Sequence, residues 1–462
     1  MMVPSLLISV YHQQNDVAAF LVTILITGAI GLLMSRFKRS AARIKAREGL
    51  AIVALGWVIA SLFGALPFII SGSISSFVDA FFETVSGFTT TGATIIGDVE
   101  ALPLGLLFWR SFTHWIGGMG ILVFTVALLP TLGVGGFQIF KAESPGPVAD
   151  KILPRIKDTA KILYTTYVGI TLLEIVLLRI GGMSLYDAAI HTFGTVGTGG
   201  FSTRNASVGA FDSVYLQVVI TIFMIASGVN FSLYYALSRG KWRDVLRNEE
   251  LRFYLGVITV SSLLVWLNVA GRYSNIWIAM KDAFFQVGSI ITTTGYATTD
   301  FALWPTFSRA TLMLLMFVGG CAGSTAGGIK NIRIIALLKQ IKREVAKTFH
   351  PRGYIPVKIG EKVVSNDNMS GITSFFTLHL LIFAVSTIFV SLEGIDLESA
   401  ASSVAATLNN VGPGMGVAGP TRNFSAFSDL TTVWFSFLML LGRLELFTII
   451  ALIAPRAWRN DV

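Results

Sequence analysis

The chain has 462 residues, 53% of them hydrophobic and only 13% charged, with a mean hydropathy of +0.70. That balance leaves too little polar surface for a water-soluble globule and points to an integral membrane protein built as one polytopic bundle. A single cysteine, Cys321, excludes intramolecular disulfides and cysteine-based metal sites, and five scattered histidines do not replace them.

A bilayer-spanning helix takes roughly 20 mostly apolar residues. Residues 1–11 are apolar but too short to cross, and with no basic region before them and no small-residue cleavage site they do not read as a signal peptide. Long enough stretches are predicted at 17–35, 50–70, 104–130, 162–180, 214–237, 251–270, 310–338, 372–392 and 433–454. Lys and Arg cluster as six in 36–47, five in 141–161, five in 239–252, nine in 330–362 and two at the C-terminus, which puts 27 of the 35 on one side of the membrane. The basic side is the cytoplasmic one. This distribution, and not nucleic-acid binding, explains the net charge of +9. The outer side carries seven basic and thirteen acidic residues, a field that gathers cations.

Between successive spans lie four similar short segments. They begin at Asp79, Asp187, Asp282 and Ser399, each followed by alanine (Ala80, Ala188, Ala283, Ala400), and they end at Gly92, Gly200, Gly295 and Gly412. The glycines are 108, 95 and 117 residues apart, compatible with a divergent repeat. Asp and Ser are N-cap residues, so each segment is predicted to start as a half-helix whose C-terminus points inward and favours a cation. All four enter from the outer face in parallel, unlike the inverted repeats of many secondary transporters. The backbone then returns through Thr90, Thr91, Gly92; Thr198, Gly199, Gly200; Thr293, Thr294, Gly295; and Asn410, Val411, Gly412. Extended backbone at that depth is tolerated only when buried in protein or lining a water-filled path, where its carbonyls can replace part of an ion's hydration shell. Taken singly, such Thr-Gly runs also suit ordinary helix contacts.

The expected fold is therefore an all-α integral membrane protein: four parallel span–pore-loop–span repeats around a pseudo-fourfold central pore, plus an extra N-terminal helical segment. Its divisions are 1–47, an N-terminal segment and basic cytoplasmic linker, then repeats at 48–135, 136–245, 246–350 and 351–462.

The third repeat's second span is interrupted by Gly319, Gly320, Cys321, Ala322, Gly323, Ser324, Thr325, Ala326, Gly327 and Gly328. Glycine costs roughly 1 kcal/mol relative to alanine in a helix, so the helix is expected to break just below the filter level. The break reads either as a gate or as a packing kink. Without a Gly-Lys-Ser/Thr ending or a preceding strand it is not a phosphate loop. Arg443 stands in an apolar span, where a charge costs about 2.5 to 3.5 kcal/mol. It faces the cavity below the filter, reaching Ser324 or Thr325, or it pairs with Glu445 or Glu174. Lys330 reads as a snorkelling residue. Glu83, His191 and Gln286, each four residues into its segment, are expected to hydrogen-bond behind the filter. The basic runs at 239–252 and 339–347 are solvated juxtamembrane charge or a dock for an acidic regulatory subunit.

The runs Ser86-Gly87-Phe88-Thr89-Thr90-Thr91-Gly92-Ala93-Thr94, Gly199-Gly200-Phe201-Ser202-Thr203 and Asn409-Asn410-Val411-Gly412-Pro413-Gly414, with 319–333 and Gly442-Arg443-Leu444-Glu445, resemble the filter and gate segments of the Trk/Ktr/HKT superfamily of potassium transporters. The similarity extends from about residue 48 to 458. Ala142-Glu143-Ser144-Pro145-Gly146-Pro147 and Ala454-Pro455-Arg456-Ala457-Trp458 resemble its TrkH/TrkG branch. The family's N-terminal hydrophobic hairpin is matched only at its trailing end, and the second filter carries extra glycines and fewer hydroxyls than the first and third. The resemblance implies potassium uptake across a bacterial cytoplasmic (inner) membrane, with K+ bound at the filter residues and no organic cofactor in this chain. It also implies a gate at 319–328, a membrane homodimer and a cytosolic TrkA-type NAD/ATP-binding regulatory ring. Alternatives are a sodium- or ammonium-permeable relative, a proton-coupled symporter, or an intramembrane enzyme. The last would need a nucleophile with a base, paired metal-binding histidines or opposed carboxylates, and no such spacing is present.

Overall fold

The computed structural model describes residues 1–36, 46–120, 156–353, 355–360, 362–444 and 446–453. The chain opens with α1 (Val3–Tyr11) and α2 (Val17–Ser35). Helix α1 buries Ser5 and Ser9, and it packs on the span α5 (Leu104–Gly118), where a Cβ at Gly105 would overlap the Ser9 hydroxyl.

The first repeat is α3 (Ala46–Ile70), the half-helix α4 (Phe77–Phe88) and α5. The second is α6 (Ile156–Ile180), the half-helix α7 (Leu185–Gly197), α8 (Val214–Ser227) and α9 (Phe231–Ser238). After the short α10 (Trp242–Arg247) come α11 (Glu249–Val269), the half-helix α12 (Ile276–Ile291), α13 (Thr306–Val318) and α14 (Asn331–Phe349). A hairpin of β1 (Lys358–Ile359) and β2 (Lys362–Val363), antiparallel with Lys358 opposite Val363, leads to the fourth repeat. That repeat is α15 (Asn366–Ser391), the half-helix α16 (Leu397–Leu408), α17 (Asp429–Arg443) and α18 (Leu446–Ile453). Among the described residues five helices are long and apolar enough to cross a membrane, or six when α8 and α9 count as one bent span. The half-helices, at 12 to 16 residues, are too short to cross.

Packing closes the repeats into a ring. Each half-helix packs on the spans of its own repeat and on one helix of the preceding repeat: α7 on α5, α12 on α8, α16 on α13, and α4 on α17 of the fourth repeat. The last contact joins the first repeat to the fourth, and the apolar cores follow it. Phe82 and Val85 of α4 share one cluster with Phe435 and Leu438 of α17.

Four half-helix starts and two spans differ from expectation. The half-helices start upstream of the expected residues: Ser76, Ser184 and Asp396 are the N-caps, accepting the N–H of Asp79, Asp187 and Ser399 at 3.4, 3.0 and 3.0 Å. A cap side chain reaches the third residue of its helix, so the expected starts occupy that inner position. In the third copy Asn275 caps, accepting from Trp277 N–H at 2.9 Å, and Asp282 lies well inside α12. Ser184→Ala is expected to cost about 1 kcal/mol, read as a lowered thermal unfolding midpoint in detergent.

The stretch at 214–237 is not one straight span, because α8 and α9 meet at 95°. Gly228 lies against Tyr254 too closely for any side chain, and Asn230 restarts the helix by accepting Ser232 N–H at 2.9 Å. The span predicted at 433–454 divides at Leu444 into α17 and α18. The end of 104–130, the runs at 142–147 and 454–458, most of the basic runs at 36–47 and 141–161, and Glu445 lie outside the described residues.

Candidate functional site

Each half-helix ends where the backbone turns left-handed twice. Thr90, Thr198, Thr293 and Asn410 have φ of 56°, 56°, 55° and 55°, and two residues later Gly92, Gly200, Gly295 and Gly412 have φ of 81°, 78°, 80° and 100°. Positive φ at a β-branched threonine is an outlier that persists only when its surroundings impose it. Three such threonines at equivalent places therefore mark one constrained architecture built four times.

The four turns touch in cyclic order. A Cβ placed on Gly92 would meet the carbonyl oxygen of Gly199, one on Gly200 that of Thr294, one on Gly295 that of Val411, and one on Gly412 that of Thr91, in every case 2.6 Å away or less. Each glycine thus abuts the carbonyl just before the neighbouring repeat's glycine, and the fourth contact returns to the first. Glycine is required both for the torsion and for this approach. The candidate residues Thr90 to Gly92, Thr198 to Gly200, Thr293 to Gly295 and Asn410 to Gly412 are all brought together here.

Hydroxyls brace the ring from outside. Thr89 and Thr91, and likewise Thr292 and Thr294, share hydrogen bonds of 2.8 Å, and Asn410 Nδ2 donates to Thr91 Oγ1 at 2.9 Å. The residues four into each segment bond the backbone run that leaves the turn: His191 bonds Ser202 Oγ at 2.9 Å, and Gln286 donates to Thr298 Oγ1 at 3.3 Å. Glu83 accepts from Thr94 Oγ1 at 3.0 Å and from Ile95 N–H at 3.0 Å. On the side from which the half-helices enter, a cavity of about 140 Å³ touches all four glycines. On the opposite side of the ring a cavity of about 100 Å³ reaches Asn410, residues 323–328 and Arg443.

The interruption predicted in the third repeat is a crossing strand beneath the ring, between α13 and α14. Gly327 N–H donates to Thr293 Oγ1 at 2.7 Å and Gly328 N–H to Asn409 O at 3.1 Å, while Thr325 Oγ1 donates to Val196 O at 3.1 Å. It is thus bonded under the second, third and fourth turns. Ser324 Oγ turns back to Cys321 O, and Gly320 and Ala322 lie on the α9 and α11 side, with Cys321 N–H donating to Gly228 O at 2.9 Å. Glu250 of α11 accepts at one oxygen from both Ala322 N–H, at 2.7 Å, and Ile332 N–H, at 3.1 Å. Gly319 opens the strand at φ 71°, and Ala326 accepts from Lys330 Nζ. Lys330 is therefore a buried part of the strand, 3% exposed, and not a snorkelling residue.

A family model described as a cation transport protein, TrkH, matches residues 12–459. The chain belongs to the TrkH family. It is 41% identical to the Trk system potassium uptake protein TrkH of Escherichia coli over all of this chain and 96% of that protein. It is 37% identical to the Trk system potassium uptake protein TrkG of the same species, over 99% of this chain and 95% of that one. The fold matches the crystal structure of the potassium transporter TrkH from Vibrio parahaemolyticus with a TM-score of 0.87 at 36% identity, covering 99% of this chain and 96% of that chain.

In this TrkH-family protein Arg443 joins three parts of the site. Its guanidinium donates to Thr325 O at 3.0 Å, Gly118 O at 3.0 Å and Thr90 Oγ1 at 3.3 Å, and also to Gly117 O. Carbonyls at the C-terminal end of α5 suit a cation. Of the two expected contacts on the crossing strand, Thr325 is made through its backbone, and Glu174 is not among these partners. Sequence reasoning missed Glu250 and Arg110. Both are charges within apolar or span-flanking segments, the signal that singled out Arg443, but neither sits in a motif.

Proposed function

We propose that this TrkH-family protein carries potassium across a membrane through the ring of backbone carbonyls at Thr90 to Gly92, Thr198 to Gly200, Thr293 to Gly295 and Asn410 to Gly412. The observation that carries this reading is the closed cycle of glycine-to-carbonyl contacts, which leaves the four turns facing one axis. The half-helix C-termini behind them add partial negative charge, and the relatives named above are potassium uptake proteins. In purified protein reconstituted in liposomes, potassium and rubidium gradients are expected to drive flux well above sodium or lithium. Equal flux of all four ions would reject the reading in favour of a less selective cation pathway.

In the same reading residues 319–328 are the gate and Arg443 holds it closed through Thr325. The basic loops face the cytoplasm of a bacterial cell whose inner membrane holds the protein. A second copy and a cytosolic TrkA-type nucleotide-binding ring complete the assembly. The exposed Lys342 of α14, with the half-buried Lys347 one turn on, supplies charge for such a partner.

A further inference from the structure

We propose that the buried pair Glu83–Arg110 is a specificity-determining positioning element that fixes the first filter segment against the second, so that the preference for potassium over sodium depends on it. The inference rests on the filter reading above and deepens it.

Both side chains are almost wholly enclosed, Glu83 at 1% and Arg110 at 3% exposure. Arg110 Nε lies 2.5 Å from Glu83 Oε1. The carboxylate holds the strand that leaves the first filter glycine, through Thr94 Oγ1 and Ile95 N–H. The guanidinium reaches the matching strand of the second repeat, donating to Ser202 O at 3.3 Å and lying 3.5 Å above the Phe201 ring. Phe201 in turn stacks on His114 at 4.1 Å, and His114 Nδ1 is 2.7 Å from Gly87 O of the first half-helix. The chain of contacts therefore runs from one filter strand through two charges and two rings back to the helix that carries the first filter.

No other quadrant is built this way at the corresponding position. Where α4 carries Glu83, the other half-helices carry His191, Gln286 and Ser403. The second filter also has fewer hydroxyls than the first and third, since Gly199 stands where Thr91 and Thr294 brace theirs. A Cβ at Gly199 would overlap the His114 ring, so that segment is located by what presses on it from behind. An ion pair in a low-dielectric site is a costly way to hold two strands, yet removing one partner leaves the other as a buried unpaired charge. Such a pair therefore tolerates little displacement.

The test compares rubidium and sodium flux in liposomes for Glu83→Gln, Arg110→Gln, the double variant and Phe201→Leu, with Gly92→Ser alongside and size-exclusion profiles to establish assembly. If the pair positions the filter, rubidium-over-sodium preference falls about tenfold in each single variant. It stays low in the charge-neutral double variant, and Phe201→Leu, which leaves both charges in place, lowers it by less. Arg110→Lys, which keeps the charge but loses the fork that reaches both Glu83 and Ser202, recovers only part. Well-assembled pair variants with parental preference, while Gly92→Ser relaxes it, would overturn this inference alone. Parental preference in Gly92→Ser as well would overturn the filter reading. Full recovery in the double variant would show an electrostatic role and also reject positioning. Should the charge variants fail to assemble, Phe201→Leu decides: parental preference in that variant rejects the proposal.

Discussion

Serine in place of Gly92 is expected to lower the preference for potassium over sodium about tenfold while the protein still assembles. Gly92 has a φ of 81°, and a Cβ there would overlap the Gly199 carbonyl of the next repeat. The backbone strain of such a residue is of order 1 to 3 kcal/mol. It is relieved most readily by moving the carbonyl that the new atom strikes, because that strand carries no brace like the Thr89 to Thr91 bond. Discrimination between ions in a carbonyl ring depends on the number and placement of its oxygens, and a loss of about 1.4 kcal/mol is tenfold. Gly295→Ser, which would press on Val411 O and Pro413, is expected to act in the same direction. Rubidium-to-sodium flux ratios in liposomes measure both. A parental ratio in either variant, with normal assembly, would remove the filter assignment.

Deleting residues 320–327 is expected to raise potassium flux severalfold. The ends left behind are already neighbours: a Cβ on Gly328 would lie 2.7 Å from Gly319 Cα, and Ile329 N–H donates to Phe317 O at 3.0 Å. Joining 319 to 328 therefore shortens the chain without separating α13 from α14. What disappears is the strand bonded to Thr293, Val196 and Arg443 beneath the ring. Flux at the parental level in the deleted protein would show that the strand obstructs nothing.

The fourfold plan was legible because each copy pairs a short polar-started segment with a glycine between two apolar stretches. Spacing alone located all four turns. The half-helix starts lie upstream of Asp79, Asp187 and Ser399 because Ser76…Asp79 and Ser184…Asp187 are each a cap followed by its third residue, and both residue types suit a cap. The bend at Gly228 escaped because Gly-Val-Asn inside an apolar run barely changes average hydropathy, and only the closeness of Tyr254 makes the glycine necessary. Long-range pairs were out of reach for another reason. Glu83 and Arg110 are 27 positions apart, and nothing local in either helix announces the other. Lys330 misled because a cation at an inner helix end usually snorkels, and here the chain folds its Nζ back onto Ala326.

The single carboxylate oxygen of Glu250 that serves both Ala322 and Ile332 ties the departure of the crossing strand to its return. Swinging only one limb outward would take from buried Glu250 one of the two amides that this oxygen accepts, a penalty that grows with each amide withdrawn. Partial, frayed openings are thus disfavoured relative to a concerted lift in which both amides and the acid travel or exchange partners together. In the gate proposed above, such wiring would give a threshold response, with two occupancies and little between them.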